Sequence, residues 1–409
     1  VEFDISYKGK KNNINIARSV DIKKNIKLVK NNSLYFIMNI ANGAVVAIDF
    51  EIYNKLDNYL KGFKKVDEIN EYVAKLEEMG FFENITYERQ AYFHITDRCN
   101  LNCIGCYSDL GNRDNFKDMN IQDIKTIFQE LKKHKVVQII YSGGEPTLRK
   151  DISSILKMAK EEFCFTNILI SNGSKRLGEN ILKHLDVLSL SIDDFKKDVN
   201  ELGRKLNYAN ILYNIEKCKS IGVSVSGIIT IHEKNVDKIA TYFEISKEYE
   251  LPISFSIFYP TRKPNRVDNE FILTDEGLQK VVESSFREMS NTIEGILSHD
   301  NIYCRDICEG GRTTISIDSY GNLNPCHMLP DIVLGNLLVD SEFAWENLEH
   351  FIENTFVADE ECDKCQFKFF CGAGCRSRAY YYKSLQAKDP YCFMYKLYYD
   401  KLISEIPGN

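Results

Sequence analysis

The stretch AYFHITDRCNLNCIGC, residues 91–106, runs from an apolar, strand-like segment straight into three cysteines. Their spacing is Cys99-x3-Cys103-x2-Cys106. A disulfide uses two sulfurs, and a structural zinc site closes with four protein ligands. Three thiolates in one loop suit a metal centre that keeps one position open. The residues beyond the loop decide the fold. Five further strand-like runs recur, VVQIIY, ILIS, VLSLSI, VSVSGIITI and PISFSIF, with amphipathic helices between most of them. In one helix Ile121, Ile124, Ile127, Phe128 and Leu131 share a face behind Asn120, a candidate N-cap. Strands alternating with helices over residues 91–295 predict an α/β fold with a parallel sheet. Rolled up, six such units give a partial (β/α)6 TIM barrel.

The polar motifs gather at strand ends. CNLNCIGC follows the first strand, SGGEP (142–146) the second and SNG (171–173) the third; SIDD (191–194) overlaps the end of the fourth. In parallel α/β folds chemistry collects at the carboxyl ends of strands. Gly143 and Gly144 allow close backbone approach, and Glu145 beside them could accept from an ammonium group.

Outside this region the chain changes character. Residues 1–90 hold no cysteine and read as two strands, SLYFIMNI and AVVAID, followed by two helices. The helices carry Ile52, Tyr53, Leu56, Tyr59, Leu60 and then Ile69, Tyr72, Val73, Leu76, Met79, both at helical spacing; Gly80 ends the second. From 296 to 409 glycines and cysteines dominate and long apolar runs are few. Such a segment is expected to bury little core and to need bound metal centres as staples.

Of 409 residues, 44% are hydrophobic and 27% charged, as in an ordinary globular protein of two or three domains. The net charge of −7 argues against a nucleic-acid partner. No apolar run reaches the roughly 20 residues that span a bilayer. VEFDISYKGKKNN lacks a signal peptide's apolar core, so a cytoplasmic, non-membrane protein is expected. In a reducing compartment thirteen cysteines read as metal ligands before disulfides. Cys164 and Cys218 stand apart from the clusters and are expected to be buried structural residues.

CxxxCxxC after strand one and GGE after strand two together resemble the radical S-adenosylmethionine superfamily over residues 91 to about 260. The resemblance implies that Cys99, Cys103 and Cys106 hold a [4Fe–4S] cluster whose open iron chelates S-adenosylmethionine. The GGE segment (Gly143, Gly144, Glu145) would hold the methionine ammonium, with Asn172 of the SNG turn nearby. One-electron reduction of the sulfonium would yield a 5′-deoxyadenosyl radical that takes a substrate hydrogen; the cofactor carries this chemistry and the protein positions it. Two departures stand out. Gly105 occupies the position before the third cysteine, where relatives often have an aromatic residue near the adenine; Tyr107 follows instead. The family's SIDG is SIDD here, leaving Ser191 and Asp193 as contacts to ribose or carboxylate. Arg204 lies where relatives often place an arginine for that carboxylate. The competing reading of the loop is zinc with a fourth ligand elsewhere.

The tail runs Cys308-x12-Gly321-x4-Cys326, then Cys362-x2-Cys365-x5-Cys371-x3-Cys375, then Cys392. With Cys304 these are eight cysteines, enough for two zinc sites. The full pattern resembles the SPASM domain, which implies two auxiliary [4Fe–4S] clusters, three clusters in all. By that resemblance Cys308, Cys326 and Cys375 hold one, and Cys362, Cys365, Cys371 and Cys392 the other. Cys304 is ambiguous: it completes the first auxiliary set or stays an inert thiol. His327 follows Cys326 where sulfatase-oxidising relatives place an acidic base, so it is either a proton acceptor or a local hydrogen-bonding group.

The first 90 residues resemble the RiPP recognition element, a small α+β, winged-helix-like unit that captures a precursor peptide's leader by strand addition. The expected function is therefore a radical peptide maturase. The leader docks on residues 1–90, the core peptide enters the barrel, and an electron donor such as flavodoxin or ferredoxin supplies reductant. A sactipeptide- or ranthipeptide-type thioether is the first expectation. Carbon–carbon or carbon–oxygen cross-links, epimerisation and sulfatase maturation are the enzymatic alternatives. A zinc-stapled peptide-binding protein is the non-enzymatic one.

Overall fold

A computed structural model of the protein describes residues 25–31, 34–61, 70–83, 88–108, 118–192, 200–205, 207–261, 269–287, 292–293 and 303–404. The chain divides into two compact units. One comprises residues 1–85 with Tyr303–Arg305 and the last two residues; the other holds the remainder.

The first unit has three strands, β1 (Ile26–Asn31), β2 (Leu34–Asn39) and β3 (Ala44–Ile48), the last two continuous apolar runs. They form an antiparallel meander with β2 in the centre and β1 and β3 at the edges. Of these, only β2 and β3 are evident in the sequence; two lysines interrupt IKLVKN, so it forms no apolar run. Helix α1 (Phe50–Leu60) starts where Asp49 accepts the Ile52 N–H at 2.7 Å, a standard N-cap. Helix α2 (Asn70–Glu78) ends at Gly80, whose φ of 74° lets the Phe81 N–H reach back to Leu76 O at 2.9 Å. Leu76 and Phe81 then pack with Ile26, Ile37 and Leu56 as this unit's core.

The second unit is built on one ten-stranded sheet. Its central strands are β4 (Arg89–Thr96), β5 (Val136–Gly143), β6 (Thr166–Ser171), β7 (Val187–Ser191), β8 (Ser224–Ile231) and β9 (Ile253–Ile257). All six are parallel and lie side by side in chain order. These are the six strands read from the sequence. A doubly wound sheet reverses its order at a switch point, and this one does not. With right-handed crossovers throughout, an unreversed order puts every helix on the same face, as in a TIM-type partial barrel. The helices include α3 (Ile121–Lys133), α4 (Ile152–Glu161), α5 (Glu179–Leu182), α6 (Tyr208–Ser220) and α7 (Ile239–Glu248). Asn120 caps α3 by accepting from the Gln122 and Asp123 N–H groups, as its position predicted. On that helix Ile124, Ile127, Phe128 and Leu131 are fully buried, whereas Ile121 is exposed.

Strand alternation then sorts the side chains. On β4, Ala91, Phe93 and Ile95 face the helices, with Phe93 edge-on to Phe128. Tyr92, His94 and Thr96 therefore face the interior. On β7 and β8 the inward Ser189 and Ser226 hydroxyls meet at 2.9 Å. On these strands the inward face thus carries polar groups, while Phe93 and its neighbours pack on the helices.

The cysteine-rich tail departs from the expectation that it buries little core. Ahead of the tail, strand β10 (Thr292–Ile293) adds to β9; within it, β11 (Thr314–Ile317) adds in parallel to the other edge at β4. Strands β12 (Asn322–Asn324) and β13 (Gly335–Asn336) continue antiparallel. Ile315, Ile317, Leu323, Leu337, Trp345 and Leu348 join the same core as the barrel residues. Their apolar residues are scattered among polar ones, so no single window looks like core. Cys218 is fully buried in that core. Cys164 is exposed instead. Its φ of 55° in the turn after α4 sends the side chain outward, between Phe163 and Phe165, which stack on each other.

Candidate active site

The three-cysteine loop begins where β4 ends, and the next two strand-end loops are bonded to it. Gly144 N–H donates to Thr96 O at 2.7 Å and Glu145 N–H to Arg98 O at 2.8 Å. A Cβ on Gly144 would lie 2.1 Å from the Arg98 carbonyl oxygen, and one on Gly143 2.4 Å from that of Thr96. Only glycine permits this approach, which is why the motif carries two. The Ser108 hydroxyl donates to Gly143 O at 2.6 Å, and Tyr107 OH pairs with Ser142. From the third loop, Asn172 Nδ2 donates to Asn100 Oδ1 at 2.9 Å.

Glu145 is the knot. Its buried carboxylate accepts from Thr147 N–H, Thr147 Oγ1, Ser171 Oγ and Asn172 N–H, at 2.6 to 3.1 Å. Both oxygens are used inside the chain. The expected ammonium acceptor is thus a tie between the second and third loops.

The remaining sequence candidates divide. Ile104 N–H donates to Leu202 O at 2.9 Å, which sets the segment before Arg204 against the cysteine loop. The Arg204 guanidinium lies near enough to lower Tyr107, although burial dominates and pushes that phenol up to about 12. Ser191 ends β7, bonded in register with Ile228. Asp193 lies outside the described residues. Gly105 has φ 64°, and a Cβ there would fall 2.2 Å from the Phe258 ring. Phe258 thus fills the space into which a side chain at position 105 would project, and this accounts for the missing aromatic residue.

All thirteen cysteines are described, and none forms a disulfide. Among the described residues no three His, Cys, Asp or Glu side chains close on a point as ligands of one metal ion. Cys99 Sγ accepts from Leu101 N–H at 3.4 Å, Cys308 Sγ from Gly310 N–H at 3.5 Å and Cys326 Sγ from Met328 N–H at 3.5 Å. Such N–H···S bonds favour thiolates and tune iron–sulfur centres. The tail cysteines gather in two groups. Burial first, then Cys308 and Cys375, push the Cys326 thiol far above its ordinary value, so these three are neighbours. Cys362, Cys365, Cys371 and Cys392 line one cavity. Burial pushes Cys362 up to about 11, with Cys392 and Cys365 adding to the rise. Thiols so disfavoured as anions need a cation to deprotonate them, as metal ligation provides. The donor sets therefore fit iron–sulfur ligation. Cys304 lies in the other unit, where its N–H donates to Gly43 O at 2.9 Å and its thiol to Ala44 O at 3.3 Å.

His327 is held by rings. It stacks on Tyr92 at 3.7 Å, meets Tyr107 edge-on at 5.5 Å and sets Nδ1 3.7 Å from Cys326 Sγ. Burial, then His94, lower it to about 3, a poor proton acceptor at neutral pH. Sequence reasoning missed three residues here. His94 lies on the interior face of β4, a placement that strict alternation in AYFHIT could have flagged. Asp389 accepts the Cys375 N–H and pairs with buried Arg378. Phe258 had no local signal.

Among the described residues no helix is long and apolar enough to cross a membrane. The radical SAM superfamily model matches residues 93–244. The chain is 26% identical over 198 residues to Fe-coproporphyrin III synthase of Methanosarcina barkeri, covering 46% of this chain and 49% of that one. It is 27% identical over 262 residues to the sporulation killing factor maturation protein SkfB of Bacillus subtilis, covering 60% and 62%. The chain thus spans about half to under two thirds of these relatives' length. Streptococcus suis SuiB, solved with precursor peptide SuiA, shares the fold with a TM-score of 0.62 at 16% identity, covering 90% of this chain and 98% of that one. Residues 93–244, which hold the cysteine loop and its paired glycine loop, are thus similar to the radical SAM superfamily.

Proposed function

We propose that this chain is a radical SAM peptide maturase that cross-links a ribosomally made precursor peptide through a cysteine sulfur-to-carbon thioether. One observation carries the reading: beside the loop of Cys99, Cys103 and Cys106, the tail gathers two further and separate cysteine groups. In this reading Cys99, Cys103 and Cys106 hold the [4Fe–4S] cluster that binds S-adenosylmethionine. Cys308, Cys326 and Cys375 hold one auxiliary cluster; Cys362, Cys365, Cys371 and Cys392 hold the other. Cys304, bonded within the first unit, is a structural thiol. S-adenosylmethionine on a reduced cluster supplies hydrogen-abstracting chemistry.

The chain's own residues bind and orient. Main-chain groups of Gly143 and Gly144 receive the methionine ammonium, since the Glu145 carboxylate is engaged within the chain. Ser191, Asp193 and Arg204 hold ribose and carboxylate, and Asn172 fixes the loop beside them. Tyr107 walls the interior, and His327 serves as a stacking, hydrogen-bonding neighbour of Cys326. The leader adds as a strand to an edge of the first unit's three-stranded sheet, and flavodoxin or ferredoxin delivers electrons. The likeness to SkfB and the fold shared with SuiB support a peptide substrate.

The test is anaerobic reconstitution, iron analysis and incubation with S-adenosylmethionine, dithionite and a precursor peptide encoded nearby. The expected result is about twelve irons per chain, four for each cubane cluster, 5′-deoxyadenosine, and a peptide lighter by one hydrogen pair per bond. Absence of 5′-deoxyadenosine sinks the radical reading. Its formation with a peptide of another mass change retains the radical step and excludes the thioether.

A further inference from the structure

Past the carboxyl end of β9, the barrel and the tail together line an open cavity of about 310 Å³. That is the small end of ligand pockets, roughly 300–1,000 Å³, and suits one side chain of a larger ligand. Tyr259 and Tyr391 form its buried wall, their rings edge-on with centroids 5.6 Å apart. Tyr391 OH is fixed in place: it donates to Phe258 O at 2.9 Å and accepts the Leu273 N–H at 3.2 Å. The rim is open to solvent. Tyr382 is 64% exposed, and Asp275, the first residue of helix α8 (Asp275–Arg287), is exposed as well. Ile272 and Leu278 supply apolar lining. Ile272 also packs on the cluster of Leu202, Phe258 and Phe271, and the Phe258 ring fills the space beside Gly105 of the cysteine loop. The cavity therefore opens at the barrel mouth, one residue along the chain from the ring that packs the cysteine loop.

The chemistry of the lining narrows its occupant. Helix α8 is capped by Thr274, whose Oγ1 accepts the Gly277 N–H at 3.1 Å. Asp275 is thus not used as the cap, and its carboxylate has no cationic partner among the described residues. Burial pushes the Tyr259 phenol up to about 12, so it brings no second negative charge at neutral pH. Arg378 lies outside the lining, 5.1 Å from the Tyr391 centroid, and its charge is already matched by Asp389 at 3.0 Å. The pocket is left with one net negative charge, aromatic rings and an apolar side. Rings attract cations through their quadrupole, and a carboxylate favours a charged donor. An acidic side chain would be repelled, and a neutral aromatic one would leave Asp275 unmatched. Lysine and arginine match every part, with an aliphatic stem for Ile272 and Leu278 and a cationic head for the rings and Asp275. We infer that this cavity receives a lysine or arginine side chain of the precursor peptide, and so fixes where that peptide crosses the barrel mouth. This rests on the peptide-maturase reading. It adds a binding subsite, with no bond made or broken there.

The test uses the anaerobically reconstituted protein and a fluorescently labelled precursor peptide encoded nearby. Anisotropy reads peptide binding to the parent, Asp275→Asn and Tyr382→Ala, each matched for iron content and thermal midpoint. The peptide's lysines and arginines are replaced one at a time by methionine, which keeps a stem and loses the charge. One basic position is expected to stand out. Its replacement, Asp275→Asn and Tyr382→Ala each weaken binding about fivefold. Combining the peptide change with Asp275→Asn adds nothing further, because both remove the same contact. Asp275→Lys is expected to reject the parent peptide and to accept one with glutamate at that position, an exchange that a merely structural Asp275 would not produce. If no basic position couples to Asp275, or the precursor has no lysine or arginine, the inference is overturned. The maturase reading still stands in that case, provided the parent forms 5′-deoxyadenosine and modified peptide. Coupling of Tyr382 to an aromatic peptide residue instead overturns the choice of a cation. A parent that makes no 5′-deoxyadenosine removes the maturase reading, and the inference falls with it.

Discussion

Asp389 Oδ2 accepts the backbone N–H of Cys375 at 2.5 Å, while Asp389 itself walls the cavity lined by Cys362, Cys365, Cys371 and Cys392. One carboxylate therefore touches both cysteine groups of the tail. It is 2% exposed and pairs at 3.0 Å with Arg378, which also donates to Tyr395 OH at 2.7 Å. Gly374 makes room for it, since a Cβ there would meet the Asp389 carboxylate at 2.5 Å.

Removing one partner of a buried pair leaves the other charge uncompensated, at a cost of about 3–5 kcal/mol. Asp389→Ala is accordingly expected to lower the thermal midpoint sharply and reduce iron bound after reconstitution. The double variant Asp389→Ala/Arg378→Met is expected to recover much of the stability. Thermal unfolding and iron analysis check this, and equal stability of parent and Asp389→Ala refutes it.

Gly105 and Phe258 make the second prediction. Gly105→Ala adds a left-handed strain of about 1–2 kcal/mol and a clash with the ring 2.2 Å away. Overpacking adds roughly 1–3 kcal/mol more. Phe258→Ala in the same chain removes the clash and leaves the strain. Urea titration of the four members of this cycle is expected to show Gly105→Ala less harmful when Phe258 is already truncated. Strictly additive effects would count against contact between the two.

Glu145→Ala strands four donors that converge on one carboxylate. The expected loss is about 2–4 kcal/mol, because unmatched buried donors forfeit their desolvation. Glu145→Gln keeps one carbonyl acceptor and is expected to fall between. Hydrogen exchange of the Asn172 and Thr147 amides reads the tie directly; protection as strong as in the parent speaks against it.

These sites show what the sequence could and could not carry. The six barrel strands, the α3 cap at Asn120 and the three loops were legible because each rests on neighbours within a few residues. Glu145 was legible as an acid after two glycines, but its partners come from the end of β6, and only folding assigns them. Phe258 and Asp389 act across long chain separations, on Gly105 and Cys375, so no local window holds both halves. The tail's share of the core was hidden for the same reason: Ile315 and Ile317 become core only by pairing with β4.

His232 gives the pH prediction. It is fully buried at the end of β8, with Nδ1 accepting the Lys234 N–H at 3.2 Å and its ring edge-on to Phe271. Burial lowers it from 6.5 to about 4, with nearby Lys238 and Lys234 lowering and Glu201 raising it. Above 6.5 the histidine is neutral in both folded and unfolded chains and contributes no pH dependence. Between 6.5 and 4 the unfolded chain binds the proton and the folded one does not, so stability falls as pH falls. The full window corresponds to roughly 3 kcal/mol at 1.36 kcal/mol per unit. His232→Asn keeps an acceptor for Lys234 and cannot titrate. Urea midpoints of parent and variant are expected to differ by a constant above pH 6.5. They should converge in the variant's favour as pH drops towards 4.5, and parallel curves across that window would show that His232 is not the titrating group.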